Sequence, residues 1–439
     1  MKKTLALMMS LAMMATSEAQ ILRTTVAQGE IEGELHEGFA LYKAIPYAEA
    51  PVGNLRWKAP VPKAPWQGVY KAEKWGDRPF QNVDPNQNGG DLGMSEDCLY
   101  LSVETPAKSK DEKLPVFVMI HGGAFATGSY SGTQDNFVRE GIVYCSIEYR
   151  LGPLGFMAHP ELTKESPDGI SGNYGIYDQL KALQWVHDNI AQFGGDPEQV
   201  TIFGQSAGGA SVLTHMCAEQ AEGLFQKCII ESFNPLNPSI PTTRFSFNPT
   251  PFADKEAMGI KFFEEFLGVK TLEEARKLDA QFIMDKYTES KLFFNNIVDP
   301  YYLDVPVLDC LLANKFHDVQ FMLGNTVDEF TEGPDCDDEE GIMKWIDEHY
   351  GEYAEGFKEL VRKSDKPLKE AATISRVAVG NDIGLVNEKG EMENVEGALL
   401  ADAIGTVEGA VFGTSTITSL SDDELNDSIL SNGTIMKCL

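Results

Sequence analysis

The sequence predicts an α/β fold: a mostly parallel central sheet with helices on both faces, preceded by a small antiparallel meander. Three observations carry this. Short apolar runs of the kind buried on both faces of a parallel sheet recur at residues 99–103, 116–120, 142–147, 200–203, 228–230 and 319–323. Segments with helical spacing separate several of these runs, and such alternation of strand and helix is what parallel crossover connections require. Finally, the run Val200-Thr201-Ile202-Phe203 stops at Gly204, and a helix-compatible stretch resumes at Ala207, which would seat Ser206 on a tight strand-to-helix corner.

A chain of 439 residues can bury a sizeable core, and large α/β enzymes reach this length as one domain. The net charge of -31 opposes binding to nucleic acid or to anionic lipid head groups. It names no substrate, and its plainest effect is a well-solvated surface.

The first residues read as a targeting segment. Lys2 and Lys3 precede an apolar run over residues 5–15, and Ser17-Glu18-Ala19 offers small residues around a cleavage point before Gln20. The run is too short to span a bilayer, so residues 1–19 read as a secretory signal and the mature chain is expected to be periplasmic or secreted. The seven cysteines (98, 145, 217, 228, 310, 336, 438) are odd in number and lack metal-ligand spacing, so not all can pair within one chain. Most read as small buried apolar residues, with Cys145 and Cys228 inside strand-like runs.

Along the chain, residues 24–47 carry short alternating runs broken at Gly29, Gly33 and Gly38, the pattern of the meander. Residues 50–65 are rich in proline and, with Trp57 and the adjoining Trp66, carry aromatics, and they read as a long connection over the body. Ile176, Leu180, Leu183, Ile190 and Phe193 recur at helical spacing, and Gly194-Gly195-Asp196-Pro197 ends that helix. After Ser232 five prolines loosen the pattern, and helical stretches at 253–267 and 272–278 suggest a cap over a site. Acidic helical stretches at 339–350, 352–361 and 366–374 follow the last strand.

The chemistry centres on Ser206. With 40 glycines in 439 residues, a Gly-x-Ser-x-Gly pattern arises by chance about 0.2 times, so its context must support the assignment. An activated serine needs a base, a group that orients the base, and backbone donors where the tetrahedral oxyanion forms. His121-Gly122-Gly123-Ala124-Phe125 directly follows the strand ending at Ile120, and its flexible backbone would turn two amides toward Ser206. The alternative is a plain glycine turn. His121 itself precedes the donors and reads as a support for the loop.

These features belong to a wider set. Glu96-Asp97-Cys98-Leu99-Tyr100-Leu101, the H-G-G-A loop, Glu148-Tyr149-Arg150-Leu151-Gly152, Gly172-Asn173-Tyr174-Gly175, Asp178-Gln179, Phe193-Gly194-Gly195-Asp196-Pro197 and the segment 203–209 together resemble the type-B carboxylesterase family, the cholinesterase and para-nitrobenzyl-esterase branch of the α/β-hydrolases. The resemblance spans about residues 24–376. It implies an α/β-hydrolase fold and ester hydrolysis with Ser206 as nucleophile. It also implies the Gly123, Ala124 and Ala207 amides as oxyanion donors and Glu329 as the triad acid. No cofactor or metal is implied, and the expected partner is a small-molecule ester.

The sequence departs from that pattern in several places. Phe330 and Phe233 replace glycines that usually follow the acid and Ser232, and Cys98 lacks its usual disulfide partner near Pro79-Phe80-Gln81. The family's catalytic histidine lies well downstream of the acid, yet no histidine follows His349. The others are His36, His121, His159, His187, His215 and His317, and His349 reads as a surface residue of an acidic helix. No catalytic histidine is therefore assigned. Residues 384–419 resemble a fragment of bacterial purine permeases, although Asp402 and Glu408 oppose a bilayer span there. The expected organisation is a signal at 1–19, a truncated hydrolase domain at 20–376 and an atypical tail at 377–439. Fusion, frameshift or an assembly error would each produce such a tail. A catalytically inactive binding module and a membrane transport fragment stand as alternative functions.

Overall fold

The computed structural model describes residues 20–81, 92–129, 132–233, 252–299, 301–324, 334–350, 354–364 and 367–374. The signal segment, Glu329, Phe330 and the tail beyond residue 374 lie outside these residues. Strands run in chain order as β1 (Arg23–Val26), β2 (Gly29–Glu32), β3 (Glu34–His36), β4 (Phe39–Pro46), β5 (Val69–Lys71), β6 (Arg78–Pro79) and β7 (Met94–Ser95). Then come β8 (Tyr100–Thr105), β9 (Leu114–Ile120), β10 (Val143–Ile147), β11 (Gly195–Gln205), β12 (Lys227–Glu231) and β13 (Gln320–Gly324).

Eight strands form the main sheet in the order β13-β12-β11-β9-β10-β8-β4-β3. The half from β13 to β10 is parallel, and β8, β4 and β3 continue it antiparallel. The meander expected ahead of the core is thereby divided. β2 pairs with β1 on one side and β5 on the other in a separate small sheet, whereas β3 and β4 extend the edge of the main one.

Strand order decides where a ligand would sit. From β9 the chain moves outward to β10, then returns to place β11 on the other side of β9. At such a reversal the loops leaving the two adjacent strands diverge and open a crevice beyond their carboxyl ends. The H-G-G loop leaves β9 there and the Ser206 corner leaves β11.

Alternation along each strand splits the core between the two faces. Val116, Val118, Ile120, Val200, Ile202, Cys228 and Ile230 join the large cluster under the helix Tyr174–Asn189 and the helix Ala207–Cys217. Phe117, Phe203 and Ile229 point the other way, against Phe137 and Tyr144. The predicted helix at 176–193 is Tyr174–Asn189 followed by a 3-10 turn Ile190–Phe193, and it ends where Gly194 takes φ 82°. Residues 253–267 form the helix Phe252–Lys261 running into a π-helical stretch Phe262–Leu267. These pack Phe263 on Trp57 and His159. The acidic helices Glu339–Tyr350, Ala354–Lys363 and Leu368–Ile374 bury a small core of their own around Ile342, Ile346, Phe357 and Val361.

Glu104, on β8, gives the fold a pH dependence. Its carboxylate is fully buried and accepts the Gln134 N–H at 3.0 Å. Burial, helped by nearby Asp135, pushes its pKa up from 4.5 to about 8. Because the folded value lies above the unfolded one, the stability contributed by the neutral form is complete below about pH 4.5 and lost as pH rises through 8. Urea unfolding of the wild type should therefore show stability falling across that window. Glu104→Gln should flatten the profile, with a gain at pH 9 of up to about 4 kcal/mol. Parallel profiles for the two proteins would refute the assignment.

Candidate active site

Ser206 sits between the last residue of β11 and the helix Ala207–Cys217, half-buried, with φ 57° and ψ -119°. An L-residue in that region is strained and persists only where its surroundings hold it. Here the Ser206 N–H donates to the Glu231 carbonyl at 2.9 Å, and its own carbonyl accepts the Ala210 N–H at 2.9 Å. The flanking glycines are required by contact with β9. A Cβ on Gly208 would lie 2.1 Å from the Ile120 carbonyl oxygen, and one on Gly204 would lie 2.5 Å from the same atom. Among the described residues no side chain hydrogen bonds the Ser206 hydroxyl.

The H-G-G loop lies against this corner. A Cβ on Gly122 would meet the Gln205 carbonyl oxygen at 2.5 Å, so the loop and the residue before Ser206 are in backbone contact. Gly123 has φ 99°, Ala124 φ 56° and Phe125 φ 58°. This tight reversal is closed by the Ala126 and Thr127 N–H groups donating to the Gly123 carbonyl. The N–H groups of Gly123 and Ala124 donate to no acceptor among the described residues. Ala207 opens its helix, so its N–H is one of those that no helical carbonyl can satisfy.

Residues distant in sequence hold the loop. The Tyr149 hydroxyl donates to the His121 carbonyl at 2.6 Å, and its ring stacks on the His121 ring at 4.2 Å. His121 Nδ1–H donates to the Gly122 carbonyl at 2.9 Å, and Nε2 lies 3.5 Å from Glu148 Oε2. Gln81 grips the far end, accepting the Gly128 N–H at 2.8 Å and donating to the Gly128 carbonyl at 2.7 Å. The clamp is anchored in turn by Arg150, whose guanidinium makes two 2.7 Å bonds to the fully buried carboxylate of Asp178. Burial pushes the Asp178 carboxyl up despite the attraction of Arg150. Nothing local in the sequence marks Gln81 or Tyr149 as supports, since both act across the fold.

Gln205, Glu231 and Gly324 stand level on β11, β12 and β13, so the segment bearing Glu329 departs from the same end of the sheet as Ser206. Glu329 itself is outside the described residues. None of the six histidines with described side chains is hydrogen bonded to Ser206. His215 is fully buried between the Tyr302 hydroxyl and Gln179 Oε1, and burial holds its pKa down to about 3. His159 caps a helix by accepting the Glu161 N–H, His317 donates to the Ala218 carbonyl, and His187 lies beside Asp188. His36 faces Asp135 at 3.7 Å. With Glu37 these two form the one potential metal-ligand group among the described residues, and Arg139 already pairs with both its carboxylates. His349 lies on the helix Glu339–Tyr350. Cys98 is buried and free, and Phe233 packs over Gly209.

A sheet whose order reverses at β9, with a strained serine at that reversal and a glycine loop in contact with it, defines an α/β-hydrolase. The chain belongs to the carboxylesterase family, whose model matches residues 18–380. It is 31% identical over 322 residues to fumonisin B1 esterase of Sphingopyxis macrogoltabida, covering 72% of this chain and 57% of that protein. It is 35% identical over 324 residues to para-nitrobenzyl esterase of Bacillus subtilis, covering 70% and 62%. The chain thus spans less than two thirds of the length of these curated relatives. A carboxylesterase structure from Geobacillus stearothermophilus superposes with a TM-score of 0.70 at 25% identity, covering 94% of this chain and 84% of that one.

Proposed function

We propose that this chain is a serine hydrolase of carboxylic esters working through an acyl-enzyme. Ser206 Oγ attacks the ester carbonyl, and the oxyanion that develops is held by the N–H groups of Gly123, Ala124 and Ala207. The alcohol departs, and water then releases the acid. Glu329 is the carboxylate that would orient a histidine, and no described histidine fills that position. The observation that supports this reading most is the backbone of Ser206, strained at φ 57° beside a loop whose Gly123 and Ala124 amides donate to no acceptor among the described residues.

Labelling with a fluorophosphonate probe tests it. Adduct formation on Ser206 at an enzyme-like rate is expected, with none in Ser206→Ala; an unlabelled Ser206 in folded protein would instead favour the inactive binding module. That second reading draws on the absence of a histidine bonded to Ser206 among the described residues. No described helix is long and apolar enough to cross a membrane, and the segment 384–419 that suggests a transport fragment lies outside the described residues. Export follows from the Lys2-Lys3 and apolar pattern, and a mature protein starting at Gln20 is the expected result of intact-mass measurement.

The donors can be tested separately. A Cβ on Gly123 would lie 2.2 Å from the Thr127 carbonyl oxygen, at a φ where side chains are strained. Gly123→Ala should therefore displace its amide and lower kcat for p-nitrophenyl esters about 10²–10³-fold with little change in KM. An unchanged kcat would remove Gly123 from the oxyanion site.

A further inference from the structure

The Gly123 N–H, one of the donors assigned to the oxyanion, belongs to the same peptide group as the Gly122 carbonyl. That peptide is trans, so its carbonyl and its N–H point in opposite directions. The carbonyl accepts the His121 Nδ1–H at 2.9 Å, which turns the Gly123 N–H away from the ring. The ring has little room to swing, because Tyr149 stacks on it at 4.2 Å and even a Cβ on Gly128 would lie 2.3 Å from Nδ1. The other ring nitrogen, Nε2, lies 3.5 Å from Glu148 Oε2, with neither side chain more than 3% exposed. Glu148 directly follows β10 and is fixed from three directions. Its backbone N–H donates to the Tyr100 carbonyl at 2.9 Å, its carbonyl accepts the Tyr47 hydroxyl at 2.5 Å, and Oε1 accepts the Ser129 hydroxyl at 2.5 Å. Carboxylate, imidazole and peptide thus stand one behind another at the back of the donor.

We propose that Glu148 is a positioning residue of the oxyanion site, acting through His121 on the Gly122–Gly123 peptide. The inference rests on the serine-hydrolase reading and deepens it. A carbonyl oxygen only accepts, so the ring must carry a proton on Nδ1. As negative charge collects on the substrate oxygen, it draws on the Gly123 N–H, and electron density in that peptide moves onto the Gly122 oxygen. This oxygen becomes a stronger acceptor for Nδ1–H, the ring takes on positive character, and the Glu148 carboxylate stabilises that character. Burial keeps water from screening the carboxylate. The chain strengthens only while the oxyanion exists, and an interaction of that kind raises kcat without tightening substrate binding. No covalent bond forms in it, and no proton leaves it.

Steady-state hydrolysis of a p-nitrophenyl ester tests this in the wild type, Glu148→Gln, His121→Asn and the double variant. Gln keeps the shape of Glu148 and still accepts the Ser129 hydroxyl, but carries no charge. Asn brings an amide N–H close to the place of Nδ1–H and has no atom to face Glu148. Glu148→Gln should lower kcat about tenfold, the margin between a charge-assisted and a neutral hydrogen bond, with KM unchanged. His121→Asn should lower kcat by a similar factor, and adding Glu148→Gln to it should cost nothing more, because the link is already cut. The donors act whether or not a histidine serves Ser206, so these ratios can be read on residual hydrolysis too. Glu148→Asp keeps the charge and worsens the fit, so its kcat should lie between those of the wild type and Glu148→Gln. Urea midpoints on the same samples identify a variant that has lost its fold; if Glu148→Gln is one, Glu148→Asp takes its place in the cycle. An unchanged kcat in the Glu148 variant, losses that multiply in the double variant, or a Gln variant faster than the Asp one would each overturn the proposal. A wild type no faster than Ser206→Ala would instead remove the reading beneath it, and that comparison involves no change at Glu148.

Discussion

Ser206→Ala is expected to bring hydrolysis of p-nitrophenyl esters down to the level of the oxyanion site alone. The size of the loss reports the rest of the machinery. Where a serine, a histidine and an acid act as a unit, removing the serine costs of order 10⁶ in turnover. Where no histidine acts, the wild type already runs only on the residual catalysis of donors and binding, about 10³–10⁴ over water, and the variant falls little below it. A ratio near 10⁶ between the two purified proteins would therefore place a histidine at Ser206 in solution. Equal rates would exclude Ser206 as the nucleophile. Circular dichroism on the same samples separates lost chemistry from lost fold, because the Ser206 side chain makes no hydrogen bond to the described residues.

Asp178→Ala should be the most destabilising single substitution tested. Its carboxylate takes both arms of Arg150 at 2.7 Å and the Arg150 backbone N–H at 3.1 Å, with neither side chain reached by solvent. Deleting it leaves a buried guanidinium without its counter-charge. Such breakage costs about 3–5 kcal/mol, a large part of the 5–15 kcal/mol that stabilises a typical domain. The urea midpoint should fall accordingly, or the protein should fail to accumulate. Arg150→Met combined with Asp178→Leu should recover most of the loss, since a well-packed apolar pair removes the stranded charge. Failure of the double variant to recover would mean that the ion pair acts through geometry, as the anchor for Tyr149.

The apolar runs in the sequence located the six strands that centre the sheet to within a few residues, because burial on both faces leaves a continuous apolar signature. They carried no direction. That β8 runs antiparallel to β10, and that β4 pairs with β8, depend on contacts between segments far apart in the chain. The helix Ala280–Ser290 carries its own signal in the sequence: Asp279 caps it, and Ile283, Met284 and Tyr287 follow at helical spacing. Ser206 and the H-G-G loop were legible because glycine marks backbone that a Cβ would obstruct, as at Gly208 and Gly123. Gln81 and Tyr149 were not, since a residue that braces a loop from another strand leaves no local pattern.

The grip of Tyr149 and Gln81 on either end of the H-G-G loop has a practical consequence for redesign. A cradle held by two side chains from the scaffold does not depend on the helices packed over Trp57 and His159 for its shape. Substitutions on the exposed face of the stretch that carries Phe263, as at Glu264 and Glu265, should leave the Gly123 and Ala124 amides where Tyr149 and Gln81 hold the loop.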